Sequence, residues 1–111
     1  MRAEFIDPGR LRTELAVEDV VSASDGAGGV RQDWVEVATL FAHVEPVRAR
    51  MRFAADQHQV EITHRITIRH REGILRRMRF CNRGRVFQIR SISDPDETGR
   101  YLVCETREVG R

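Results

Sequence analysis

The sequence predicts a mostly β protein: a small antiparallel β-barrel or sandwich of about six strands, with one short helix or arm between strands two and three. Three observations support this. First, period-two alternation recurs along the chain, most clearly in "EITHRITIRHR" (61–71). In an extended strand Ile62, His64, Ile66, Ile68 and His70 share one face, and Glu61, Thr63, Arg65, Thr67, Arg69 and Arg71 share the other. A helix would mix the two sets. Second, segments rich in Gly, Asp, Ser and Pro punctuate the alternating stretches at short intervals. Third, 111 residues suit one domain, residues 1–111, with a modest core.

The elements follow in order. "LRTELAVEDVV" (11–21) alternates and predicts strand one over about 10–20; "SASDGAGGVRQD" (22–33) predicts a flexible loop or hairpin end. "DWVEVATLFAHVEP" (33–46) predicts strand two. Trp34, Ala38, Leu40, Ala42 and Val44 point one way, and Val35, Val37, Thr39, Phe41 and His43 the other. Both faces are partly apolar, which suits a strand covered on both sides, and Pro46 is expected to end it. In 47–59, Val47, Ala49, Met51 and Phe53 alternate with Arg48, Arg50 and Arg52, while "RFAADQH" holds good helix formers. An extended arm running into a short helix is expected there. Strand three spans 60–71, a turn at Gly73 follows, and 77–93 reads as a hairpin with "NRG" (82–84) at its tip. "DPDETGR" (94–100) is a turn, and "YLVCETREV" (101–109) the last strand.

Composition narrows the function. Apolar residues are 41% and charged residues 32%, a soluble globular balance, and no apolar run is long enough to span a bilayer. The N-terminus has no secretory h-region, so synthesis in the cytoplasm of the producing cell and no membrane partner are expected. The net charge of +2 is unevenly spread. Residues 1–47 carry −5, residues 48–90 carry +9, and residues 91–111 carry −2. A basic centre between acidic ends suits DNA or the acidic surface of a neighbouring copy.

No catalytic motif is present: there is no G-x-S-x-G, P-loop or H-E-x-x-H, so no enzyme and no cofactor are expected. His64 and His70 lie about 20 Å apart along a strand, and His43 and His58 have no local ligand partner, so no metal is expected. Cys81 and Cys104 read as free buried thiols, with a cross-strand disulfide as the alternative. A small OB-like nucleic-acid-binding module is the alternative function. It has a basic stripe running from Arg65 to Arg90, but few aromatics for base stacking, since Phe41, Phe80 and Phe87 sit in apolar alternation and are expected in the core. A scaffolding adaptor with no nucleic acid nearby is a third reading.

Four blocks, in order, resemble the head-tail joining family of tailed bacteriophages, the head-closure or stopper proteins. They are "PGRLRTELAVE" (8–18), "DWVEVATLFAHVEP" (33–46), "QVEITHRITIRHREGI" (59–74) and "RMRFCNRGRVFQIRSISDPDE" (77–97). The Thr-His-x-Ile-x-Ile-Arg run is the most specific; Phe41 stands where the family often has Trp. The resemblance extends to phage-like gene transfer agents. It implies a small antiparallel β-barrel and a non-enzymatic virion part made in the bacterial cytoplasm: a homo-oligomeric ring in the head–tail neck. Portal or adaptor proteins would lie above it and a tail terminator or tail tube below, with non-specific contact to double-stranded DNA in the channel. In some members the excursion between strands two and three helps close the channel, which here is 47–59.

Two sets of residues are expected to serve assembly. Arg48, Arg50 and Arg52, with Met51 and Phe53, are the candidates for the channel or the contact with the next ring. Arg65, Arg69 and Arg71 are the candidates for meeting acidic groups on a neighbouring subunit, because they share one face of strand three.

Overall fold

The computed structural model describes residues 6–52 and 59–110. A 3-10 turn, Pro8–Arg10, leads into six strands: β1 (Thr13–Ser24), β2 (Val30–Arg52), β3 (Gln59–Arg69), β4 (Arg79–Asn82), β5 (Arg85–Ser93) and β6 (Tyr101–Val109). All pairings are antiparallel, and the order β1-β2-β3-β6-β5-β4 closes a barrel through the β1–β4 pair. Closure gives every strand a partner on each side over at least part of its length.

The predicted inward face of β3 lines the core: Ile62, Ile66 and Ile68 are buried. Ile66 and Ile68 meet Leu15 and Val17 of β1, Ala42 of β2, Phe80 of β4, Phe87 and Ile89 of β5, and Leu102 and Cys104 of β6. A barrel this small is filled by side chains, not hollow. The one buried hydroxyl on the inner face of β6, Thr106 Oγ1, donates to the backbone oxygen of His64 at 2.9 Å, so its burial leaves no unmet donor.

Strand two departs from expectation at both ends. It runs 23 residues, because the loop before it shrinks to 25–29 and β1 extends to Ser24. Asp25 closes that tight loop by accepting from Ala27 N at 2.8 Å and Gly29 N at 3.0 Å. Pro46 does not end β2; it lies opposite His64, and the register slips between Pro46 and Ala49. The proline is tolerated because β1 pairs with β2 only as far as Ala42, so Pro46 needs one ladder, not two. Beyond it, 47–52 forms the extended arm; the expected helix falls on 53–58, outside the described residues.

A second slip, between Val17 and Glu18 of β1, leaves Val37 of β2 without a partner. The extra residue reverses the inside–outside parity of β2 on its N-terminal side. Trp34, expected to share the core face with Ala38 and Leu40, instead stacks under the Arg79 guanidinium at 4.0 Å from its ring centroid. Strand β2 is not covered on both sides among the described residues: Val37 and Phe41 are exposed, although Phe41 was expected in the core, and beyond the slip Val35 is exposed on the opposite face.

Strand pairing defines two arms. In one, the upper arm, Asp19–Ser24 and Val30–Val35 pair with each other beyond the β1–β4 contact; in the other, the lower arm, Ala49–Arg52 pair with Gln59–Ile62 beyond the β3–β6 contact. Antiparallel β2 carries one arm at each end, and the molecule reaches 54 Å in its longest dimension.

Candidate assembly surfaces

Four of the twelve arginines in the basic centre, residues 48–90, pair with carboxylates from the chain's acidic ends. Arg79 Nε donates to Glu18 Oε1 at 2.7 Å, and Arg77 grips both oxygens of Asp19 at 2.9 and 3.0 Å. Arg85 forks onto Glu108 at 2.8 and 3.0 Å, and Arg65 Nε reaches Glu105 Oε1 at 3.1 Å. Each pair joins strands that the barrel brings together from distant parts of the sequence. The Arg77 hydrogen bond holds the Asp19 carboxyl below its ordinary pKa, and Glu108 raises that of Arg85. Solvent screening keeps the more exposed of these pairs weak. Their larger effect is to offset part of the charge of a segment that looks strongly basic when read linearly.

Arg65 therefore lies in a salt bridge within the chain, flanked by Glu45 of β2 and Glu105 of β6 in the register. It lines a polar cleft of about 620 Å³ over the outer face of β2, β3 and β6, with Asp7, Arg10, His43 and Thr67. His43 Nδ1 lies 3.3 Å from Glu45 Oε1 there.

Arg69 and Arg71 differ from Arg65. Both are exposed, and neither has a carboxylate partner among the described residues. With His70 they rim a second cavity of about 410 Å³ whose apolar wall is Pro8, Leu11, Leu40 and Phe41. The 3-10 turn supplies Pro8. It is pinned by the Asp7 cap, whose Oδ1 accepts from Gly9 N at 2.9 Å. Sequence spacing brought Arg69 and Arg71 together; it held no signal for the apolar wall, whose residues come from two separate segments.

Arg48 is exposed on β2, and Arg50, Met51 and Arg52 lie in the same strand; Phe53 is outside the described residues. The arm thus carries its arginines past the β3–β6 contact.

The histidine on the inner face of β3 has a structural place. His64 Nδ1 is 2.9 Å from Thr63 Oγ1, Nε2 is 3.4 Å from Arg85 Nη2, and its ring meets Phe87 edge-on at 5.0 Å. An arginine can only donate, so Nε2 accepts and the proton sits on Nδ1. Burial, opposed by Glu108 and aided by Arg85, lowers its pKa and keeps the ring neutral. Cys81 and Cys104 are free thiols. Burial pushes Cys104 to about 12; burial and the Glu18 carboxylate push Cys81, which donates to Glu18 at 3.2 Å, to about 11. Neither is a reactive thiolate near neutral pH. Among the described residues no three His, Cys, Asp or Glu side chains gather as a metal set.

Known proteins match this architecture. Residues 6–109 match the family model described as phage head completion protein. The head completion protein gp16 of Bacillus phage SPP1 is 31% identical over 81 residues, covering 73% of this chain and 72% of that protein. A chain from the virion of a native gene transfer agent particle superposes with a TM-score of 0.67 at 29% identity, covering 90% of this chain and 96% of that one. Protein SF1141 from Shigella flexneri 2a superposes with a TM-score of 0.68 at 26% identity, over 93% and 96% of the two chains.

Proposed function

The chain belongs to the phage head completion protein family, and from that premise we propose that it forms a homo-oligomeric ring between the portal complex and the tail, helping to retain and conduct packaged double-stranded DNA. Its family is one of virion structural proteins, not a class of enzymes, and its place is in a phage or phage-like particle at the head–tail junction. The observation that carries the reading is the family match over residues 6–109.

The physics supports the finer steps. A ring needs two different complementary patches on each subunit. The two arms and the Arg69–Arg71 pocket are such separate surfaces. A DNA channel is best lined by arginines that touch phosphate without reading bases. Arg48, Arg50 and Arg52 on the lower arm suit that role, with Met51 and Phe53 as apolar contacts to the next ring. Base stacking has limited scope here: Phe80 and Phe87 are core residues and Trp34 is stacked under Arg79, so of these aromatics Phe41 alone is exposed.

Arg69 and Arg71 are the arginines left to meet an adjoining subunit, whereas Arg65 reaches one only by sharing or leaving Glu105. Reversing both charges, Arg69→Glu with Arg71→Glu, is expected to yield DNA-filled heads that fail to join tails, counted by electron microscopy. A normal yield of tailed particles would remove these residues from the interface.

A further inference from the structure

Strand β2 has an unpaired edge. It pairs with β1 along Val30–Ala42, but with β3 only from Ala42 onward. On the side toward β3, the backbone from Val30 to Phe41 therefore has no ladder partner among the described residues. Backbone donors and acceptors alternate along such an edge, and natural proteins seldom leave a long one uncovered. This one contains neither proline nor lysine, and it exposes Val35 (40%), Val37 (52%) and Phe41 (56%). Its charges are partly spent: Arg31 pairs with Asp33, and Glu36 accepts from Thr39.

The arginine pocket lies at the Phe41 end of this edge. β3 leaves β2 just there, so Arg69 and Arg71 stand where an added strand would finish, beside the Phe41 and Leu40 wall. Backbone edge, exposed apolar side chains and unmatched cations thus form one continuous surface.

We propose that this surface receives an extended segment of a different protein chain of the particle, with apolar side chains at alternate positions and carboxylates at the end that reaches Arg69 and Arg71. Strand addition supplies the backbone hydrogen bonds, and alternate side chains supply selectivity. Charge decides between this occupant and a second copy. The upper arm of another copy brings no free carboxylate: Asp19 is held by Arg77, Asp33 by Arg31, and Asp25 by its own loop amides. The inference rests on the neck assignment only for where the partner comes from; the binding chemistry is testable without particles.

The test titrates the isotope-labelled full chain with the acetylated, amidated peptide Thr-Val-Thr-Val-Thr-Asp-Glu and with its Asn-Gln counterpart, following amide shifts and hydrogen exchange. The acidic peptide should bind at least ~10-fold more tightly, the worth of one charge-assisted contact. It should slow exchange of amides between Val30 and Phe41. The double variant Arg69→Ala, Arg71→Ala should bind both peptides equally while keeping the amide footprint. Equal binding of the two peptides by the unaltered chain, a footprint elsewhere, or no binding would overturn the proposal. Concentration-dependent protection of the same amides without peptide would assign the edge to a second copy instead. None of these outcomes bears on whether the charge-reversed particles join tails.

Discussion

Asp96 is 7% exposed and still ionised. Thr98 Oγ1 donates to it at 2.6 Å, Thr98 N at 3.2 Å and Arg100 Nη2 at 3.0 Å. These bonds, the Thr98 hydroxyl foremost, outweigh burial and bring its pKa down to about 2. A depressed carboxylate stabilises the fold above its unfolded pKa, near 3.8, and that contribution disappears as pH falls from about 4 to about 2. Asp96→Asn should therefore melt at a lower temperature than the unaltered chain at pH 7, and the gap should close by pH 2. A gap that persists at pH 2 would mean the loss is steric. At this scale the sequence showed "DPDETGR" as a turn, and it is one. It did not show that Arg65, Arg77, Arg79 and Arg85 would find carboxylates within the chain. Those partners lie 23 to 61 residues away, so only strand register pairs them. Arg69 and Arg71 fall beyond that matching, and they were legible as candidates from spacing alone.

Among the elements, the β4–β5 hairpin was the most readable, because a two-residue turn leaves a local mark. Arg83 and Gly84 both have positive φ, 49° and 80°, as a type I′ turn requires. Glycine takes this conformation without penalty, whereas an L-residue pays about 1–2 kcal/mol. Gly84→Ala should lower the urea midpoint by the equivalent of about 1 kcal/mol. Arg83→Asn should raise it slightly, since Asn tolerates positive φ. An unchanged midpoint in the alanine variant would show that the turn relaxes to another type. Strand two was the least readable. Proline at 46 is a reliable terminator only in a strand with neighbours on both sides, and β2 has one neighbour there. Trp34 was misassigned for a related reason: a bulge changes parity without changing composition, so alternation counted across Val37 runs out of phase.

For the whole molecule, closure of the barrel and projection of the arms are separate properties. The barrel uses β2 only around its middle, and the ends of that strand are free to serve assembly. Removing residues 48–57, most of the lower arm, should leave a folded barrel, with its melting transition intact, and should release DNA from tail-less heads. Full DNA retention with a folded variant would show that closure of the channel resides elsewhere. The sequence by itself determined the strands, most of the core and the family, because alternation, turn chemistry and the Thr-His-x-Ile-x-Ile-Arg strand are local patterns. Tertiary structure decided which arginines remain available, where the bulges fall, and that β2 keeps an open edge ending at Arg69 and Arg71. Each of those depends on which strands become neighbours, and neighbours separated by tens of residues leave no local trace in the chain.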